Sequence, residues 1–320
     1  MARNTNISEL LFPVECKPVF LENQRKPING FKAVTGKFEN GGEVIFSIVS
    51  NNYQLIANKD AYEMGKEIHG RLFPNATSES FEVFNVISPD TKSFCQIDII
   101  DKNYAINIWE KEIYLPFVRI QNSYNRTRIL KFDIGFCRKL CDNGVIFEKG
   151  TVSVNFRHTK TSFKGIDINK IDVSHLKRME EDFIKKAKSS TKIELPRKYF
   201  IPLAAKVLNR NFNLNEKNEQ KRQLIFEKLN EFILQIESYS DRYIHTENMG
   251  ETAYAFFNVI TDYASNNDNL QASAINGLQA SCGNWLNLIP TEIIKPTFSW
   301  ENEVTKHKDI IQYSQDLIKK

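Results

Sequence analysis

The period of the hydrophobic pattern changes near Gly165. Before it, apolar and polar residues mostly alternate, as in half-buried strands, and the alternation is clearest at 93–100 and 151–157. After it, apolar residues recur every three or four positions, as on one face of a helix. The pattern therefore predicts an α+β chain, with an N-terminal antiparallel β-rich half that carries one or two inserted helices, followed by a helical C-terminal half.

Strands are predicted wherever β-branched and aromatic residues alternate between turn-forming residues. A turn at 50–52 separates the first two strands, and Asp142-Asn143-Gly144 is expected to form another turn. The predicted strands are 43–49, 53–57, 81–87, 93–100, 104–109, 114–120, 128–136 and 151–157.

Helices are predicted from the spacing of apolar residues and from capping residues at their ends. Asn58 is expected to cap the inserted helix, which Pro74 ends. Asn248 and Glu251 are expected to form a capping box for the helix that ends at Tyr263. Further helices are predicted at 174–187, 217–238, 272–289 and 304–318.

These elements divide the sequence into three segments. Residues 1–40 contain Pro13 and Pro18, which interrupt long elements, and are expected to form an extended arm that could pack on a neighbouring subunit. Residues 41–165 form the predicted β-rich basic domain. Residues 166–320 form the predicted helical region, which packs on that domain.

Composition narrows the class of protein. The 320 residues are 41% hydrophobic, enough for a large core, and the 13 Gly and 10 Pro are too few for a low-complexity chain. The sequence shows neither a secretory signal nor an apolar run long enough to cross a bilayer. Five dispersed cysteines fit a reducing compartment. We therefore expect a cytoplasmic protein that does not contact a membrane.

Positive charge is concentrated in the stretch 119–164. It holds ten Lys or Arg against three acids, a local charge of +7, whereas the whole chain carries +4. Aromatic residues lie between these charges, and cations beside stacking rings are typical of single-strand nucleic-acid binding. The alternative is that most rings are core residues of strands and that the charges are their solvated face. The predicted nucleic-acid site comprises Arg126, Arg128, Lys131, Arg138, Lys139, Arg157, His158 and Lys160, with Tyr124 and Phe163 as stacking rings.

Several runs in the sequence resemble one known family. FCRKLCDNG at 136–144 and VNFRHT at 154–159 are similar to its central motif, and NYQLIAN at 52–58 and ETAYAFFNVITDY at 251–263 are similar to its flanking motifs. The family is the phage- and plasmid-like domain of unknown function 932. The resemblance implies a gene carried by phages, prophages or plasmids beside antirestriction and recombination genes, and it supplies no activity.

Residues that could support catalysis have simpler explanations. Cys137 and Cys141 are spaced to share a metal with His158, but a zinc site would also need a distant cysteine such as Cys95 or Cys282. Buried thiols usually serve as packing, so no metal is expected. Four aspartates could hold a nuclease cation, although strand faces and turns explain them as well. They are Asp98, Asp101, Asp133 and Asp142.

The common catalytic motifs are missing from the sequence, including the phosphate-binding glycine loops and the HExxH and GxSxG patterns. We therefore expect a protein that is not an enzyme and that needs no cofactor. The favoured hypothesis is a homo-oligomer that binds single-stranded DNA in recombination, annealing or protection of incoming DNA. A second is an inhibitor of a host defence protein, which the arm at 1–40 could help to clasp. A third is a metal-dependent nuclease.

Overall fold

The computed structural model describes residues 2–3, 6–22, 25–38, 41–109, 112–139, 143–146, 153–159, 174–267 and 269–318. The chain forms two compact units. The first comprises Met1–Ile106, Leu115–Phe136 and Thr151–Arg178, and the second comprises Asn107–Tyr114, Cys137–Gly150 and Met179–Lys320. Antiparallel sheets precede most of the helices, so the predicted α+β class is confirmed. The predicted division into three segments stays a prediction.

Two antiparallel sheets are present. The small sheet has the order β2–β3–β4, and its strands are β2 Val14–Pro18, β3 Phe31–Lys37 and β4 Glu43–Ser50. In the large sheet β1, β5, β6, β8 and β9 pair in that order, while β7 pairs with β8, and β10 and β11 pair with β9. Its strands are β1 Ala2–Arg3, β5 Phe81–Ser88, β6 Phe94–Asp101, β7 Ile106–Trp109, β8 Glu112–Ser123, β9 Leu130–Arg138, β10 Asn143–Ile146 and β11 Ser153–Phe156.

Helix α1 is inserted between the sheets in the sequence, and the other helices follow the last strand. The first is α1 Asn58–Leu72. The others are α2 Ser174–Ser190, α3 Phe200–Val207, α4 Glu219–Asp241, α5 Ala253–Asn266, α6 Ala272–Leu286, α7 Trp300–Glu303 and α8 Lys308–Ile318. Within the described ranges, no helix is long and apolar enough to cross a membrane.

Two local predictions are wrong, and one helix was missed. The segment 53–57 is not a strand, because Tyr53 pairs with Thr159 as a single bridge and helix α1 begins soon afterwards. Asn143 and Gly144 lie in strand β10 and not in a turn. Helix α3 was not predicted, because almost all of its residues are buried and it therefore lacks a polar face that would reveal a helical period.

Two predicted caps are also wrong. Ala57 precedes helix α1, and the backbone N–H of Asn58 donates to the Tyr124 hydroxyl at 2.7 Å. At helix α5 the cap is Thr252, whose side chain accepts a hydrogen bond from the backbone N–H of Ala255 at 3.1 Å. In the first case a distant side chain, which no local rule reveals, satisfies the helix end.

Helix α1 approaches strand β8 closely at Gly65. A Cβ atom at Gly65 would lie 2.2 Å from Ile120 Cδ1 and 2.6 Å from Ile120 Cγ1, which is closer than carbon atoms can approach. Gly70, in the same helix, has nothing within 4 Å of its Cβ position. The missing side chain at 65 therefore allows the helix to pack on the sheet.

We predict opposite effects of alanine at these two glycines. Gly70→Ala should stabilise the protein by about 1 kcal/mol, because alanine favours the helix. Gly65→Ala has the same helical advantage but overpacks the contact with Ile120, at a cost of about 1–3 kcal/mol. Urea unfolding measures both changes. Ile120→Val, which removes the clashing Cδ1, should relieve part of the cost in the double variant. Equal stabilisation by both alanines would contradict the close contact.

Candidate functional site

Four segments of the first unit surround one pocket of about 440 Å³, which we call the arginine pocket. They are the start of β3, the end of β4 with the turn after it, the loop between β8 and β9, and the residues that follow β11. Arg126 and Arg128 line the pocket, and none of the described residues that line it is acidic. The arginine pocket is therefore a concave site with positive potential.

The small sheet fixes one side of this pocket. Phe31 in β3 lies directly opposite Ser50 in β4, so the two side chains share one face. The chain then turns, and the backbone N–H of Tyr53 donates to the carbonyl of Ser50 at 3.0 Å. This confirms the predicted turn at 50–52 and places Asn52 on the pocket wall.

Tyr53 and His158 form the back of the arginine pocket. Their rings stack with centroids 5.2 Å apart and an angle of 8° between the planes. The backbone N–H of Gln54 donates to the carbonyl of His158 at 3.1 Å. The stack therefore joins the turn after β4 to the segment after β11.

His158 does not present the cationic edge that the sequence suggested. Its side chain is 8% exposed, and burial lowers its pKa, so the ring is neutral at neutral pH. Burial disfavours the charged form of Tyr53 as well, and it therefore raises the pKa of this tyrosine to about 12. Both rings act as packing for the pocket, and its charge comes from arginine.

The loop between β8 and β9 presents Arg126 to solvent. The Ser123 hydroxyl donates to the carbonyl of Arg128 at 2.9 Å, and it accepts from the Arg128 N–H at 3.0 Å, which closes the loop. Arg126 adopts a φ of 64°, in the left-handed region, and forms no ion pair with a described residue. Arg128 is half-buried, with its guanidinium 4.8 Å from the centre of the Phe94 ring.

Large apolar side chains stand exposed beside these cations. Phe31 is 51% exposed, Ile48 53% and Ile129 39%, and all three line the arginine pocket. Exposed apolar groups gathered in one place mark interaction surfaces. Sequence reasoning missed Phe31 and Ile48, because the predicted site was sought inside the basic stretch and these residues come from the small sheet.

Other predicted site residues lie elsewhere in the first unit. Tyr124 is fully buried against Phe12 and Phe46, so its ring cannot stack on a base. Lys131 forms an ion pair with Asp133 at 2.9 Å. Arg157 is exposed and immediately precedes the pocket residue His158. Lys160 and Phe163 lie outside the described residues.

Arg138 and Lys139 belong to the second unit. The Arg138 side chain is 2% exposed, and its guanidinium donates to both oxygens of Glu112, with Nη2 at 2.7 Å from Oε2. It also donates to Glu247. Tyr254 donates to Glu112 at 2.6 Å, which completes the surroundings of this carboxylate. Arg138 therefore holds buried charges together and is not on the surface, whereas Lys139 is exposed.

The buried network of the second unit extends beyond Arg138. Arg242 contacts Glu247 at 3.2 Å and Asp262 at 3.1 Å, and the Tyr243 hydroxyl donates to Asp262 at 2.8 Å. Burial raises the pKa of Asp262, although these donors favour its charged form. The sequence offered one signal for this network, namely a lone aspartate in the otherwise uncharged run at 253–264.

Asp98 and Asp133, which were considered as ligands of a nuclease cation, form ion pairs with basic side chains. Asp98 accepts two hydrogen bonds of 2.6 Å from the guanidinium of Arg119, and both side chains are 1% exposed. Asp133 is paired with Lys131. Within the described parts of the chain, no three His, Cys, Asp or Glu residues are placed to hold a metal ion. Cys141 and Asp142 lie outside those parts.

We predict that Arg138 is structural. Arg138→Ala leaves Glu112 buried without its cation, which should lower the free energy of unfolding by about 3–5 kcal/mol. Its neighbour Lys139 is exposed, so Lys139→Ala should change the free energy of unfolding by less than about 0.5 kcal/mol. Urea unfolding of both variants provides the comparison. Equal urea midpoints for Arg138→Ala and Lys139→Ala would show that the buried network does not depend on Arg138.

We predict that His158 makes stability depend on pH. Since burial holds its pKa below the ordinary value of 6.5, the unfolded chain binds a proton first as pH falls. The neutral His158 ring therefore contributes fully to stability above about pH 6.5, and this contribution is lost as the pH falls below that value. The Tm of the unaltered chain should fall when the pH is lowered from about 7.5 to about 5.5. His158→Phe should keep the stack on Tyr53 and make this fall in Tm smaller. Tyr53→Phe, which changes no group that titrates in this range, should leave the loss unchanged. An unaltered pH profile in His158→Phe would refute the assignment.

Residues of the family-like motifs meet in space within each unit. Tyr53 and His158, from two of them, stack in the first unit, while Arg138 and Tyr254, from two others, both bind Glu112 in the second. Residues 45–283 match the family described as "Domain of unknown function (DUF932)". No curated protein and no solved structure was found to match the chain. Because the match covers about three quarters of the sequence, the chain belongs to the DUF932 family.

Proposed function

We propose that this protein binds single-stranded nucleic acid through the arginine pocket and its exposed rim. The observation that carries the proposal is the exposed guanidinium of Arg126, which has no ion-pair partner among the described residues, beside the exposed ring of Phe31. A cation for phosphate and a ring for a base are the two elements that single-strand binding requires.

The backbone of Arg126 supports a functional role for its side chain. A non-glycine residue in the left-handed region costs about 1 kcal/mol or more relative to a relaxed backbone. This arginine gains no ion pair with a described residue that would offset the cost. Guanidinium groups bind phosphate through paired, charge-assisted hydrogen bonds, so a phosphate ligand would give this residue a partner.

The surroundings of Arg126 suit a strand and its phosphates. Among the residues that the structure describes, the lining of the arginine pocket has no carboxylate to repel an anion. Arg157, exposed next to His158 in the chain, adds a cation at the pocket edge. A half-exposed Phe31 can stack on a base at little cost to the fold, and such stacking contributes about 1–3 kcal/mol per base.

The biological setting is part of the proposal. The resemblance of the chain to phage- and plasmid-like proteins supports a role in recombination, strand annealing or protection of incoming DNA in the bacterial cytoplasm. Annealing needs several subunits along a strand, so we propose that the protein acts as a homo-oligomer.

A second candidate is a protein that inhibits a host defence system by direct binding. The outer face of the small sheet favours it, because Ile45 is 65% exposed and Ile48 is 53% exposed. Apolar surface of this kind fits a protein partner as well as a nucleobase. The two candidates differ in their response to salt, since releasing counterions from phosphates makes nucleic-acid binding weaken steeply.

We predict salt-sensitive binding of single-stranded DNA, measured by fluorescence anisotropy of a labelled strand and of its duplex. With two or three phosphates contacted at a slope of about −0.7 each, the affinity should fall about 7- to 20-fold between about 50 mM and about 200 mM salt. The single strand should bind more tightly than the duplex. Absence of binding at the lower salt would refute the proposal.

Arg126→Gly tests the proposed contact without damaging the fold. It should weaken binding and reduce the salt slope by about 0.7. Glycine accepts the left-handed backbone, so the free energy of unfolding should stay equal or rise by up to about 1 kcal/mol. Lys217→Gly, which removes an exposed cation of the second unit, should leave binding unchanged. Equal weakening by both variants would indicate a general charge effect and would contradict a site at Arg126.

A further inference from the structure

We infer that the arginine pocket encloses one whole nucleotide unit of the strand, with its phosphate on Arg126 and its unpaired base within the cavity. This inference rests on the proposed function and names the chemical class that the pocket takes. The stacking of a base on an exposed ring needs no cavity, whereas the first unit provides one of about 440 Å³. That volume lies in the range of about 300–1,000 Å³ that holds small ligands.

The walls of the cavity fit the flat faces of a base. Phe31, Ile48 and Ile129 are all exposed and all line it. An aromatic and two aliphatic side chains provide apolar surface without charge. Ligand pockets are typically lined in this way, with a few polar groups that fix the orientation of the ligand.

Two polar groups of the pocket are free to bind the edge of a base. The side chains of Ser50 and Asn52 are exposed, line the cavity and form no hydrogen bond to a described residue. An asparagine carboxamide offers a donor and an acceptor together, which matches the N1 and N6 atoms on the pairing edge of adenine. A base in a duplex has its pairing edge occupied, so these groups favour an unpaired base.

The arginines of the pocket bind the phosphate of the same nucleotide. Arg126 has no ion-pair partner among the described residues and lines the pocket. Arg128 is held against Phe94 and adds positive potential from a fixed position. The stacked rings of Tyr53 and His158 are both more than nine-tenths buried, so the back of the cavity is rigid before a ligand arrives.

Binding of deoxyadenosine monophosphate, measured by isothermal titration calorimetry on the full chain, tests this inference. We expect millimolar affinity for the nucleotide, and affinity at least about tenfold lower for deoxyadenosine and for inorganic phosphate, because each lacks half of the contacts. Inorganic phosphate that binds as tightly as the nucleotide would overturn the inference and leave an anion site.

Neighbouring asparagines provide a matched pair of variants. Asn52→Ala should weaken nucleotide binding about 5- to 20-fold, whereas Asn51→Ala, one residue away and not in the pocket lining, should not change it. Phe31→Ala should weaken binding of both the nucleotide and a DNA strand. Circular dichroism checks that each variant is folded.

The outcomes for strand and nucleotide separate the two proposals. If a DNA strand binds with salt sensitivity and Arg126→Gly and Phe31→Ala weaken it, but Asn52→Ala binds it as tightly as the unaltered chain, the strand follows the rim without a base inside the cavity, and this inference fails while the proposed function stands. If no strand binds but the nucleotide does, and Asn52→Ala weakens it, the pocket assignment is supported and the proposed function fails.

Discussion

The first unit depends on the contacts of one residue, Tyr124. Its ring packs between Phe12 and Phe46, which belong to the core under the small sheet. Its hydroxyl accepts the first free N–H of helix α1, and its carbonyl accepts from the Ser47 hydroxyl at 2.6 Å. A single residue therefore connects the small sheet, the inserted helix and the end of β8. The loop that carries Arg126 begins directly after it, so the position of the arginine pocket follows from this junction.

Much of the fold follows from periodicity, because burial on one face leaves a regular trace in the sequence. Helix α2, predicted at 174–187 from its apolar spacing, buries Leu176, Met179, Phe183 and Ala187. Strand β7, within the predicted 104–109, alternates between buried and exposed residues, whereas β6, predicted at 93–100 as a half-buried strand, is buried on both faces. Periodicity fails where both faces are buried, as in helix α3, and where the partner is distant, as at the start of helix α1. Those elements are determined by contacts between residues far apart in the chain.

The candidate site was only partly predictable for a related reason. Counting charge along a stretch treats every arginine as exposed. Arg119 and Arg138 lie within the basic stretch, but Asp98, Glu112 and Glu247, which neutralise them, lie outside it. The local charge of +7 therefore overstates the charge that faces solvent. Arg126 was predicted as one of the cations of the basic stretch, whereas Phe31 lies in a segment outside it.

The order in which the chain is synthesised suggests a role for the pairing of Arg138 with Glu112 during folding. The first unit has all of its residues once Arg178 has been added, but the second unit must wait for 179–320. Glu112 and Arg138 are therefore made more than a hundred residues before Glu247 and Tyr254. Because the two early charges are opposite and bind each other through both carboxylate oxygens, neither has to remain unneutralised while the ribosome completes the helices that later bury them.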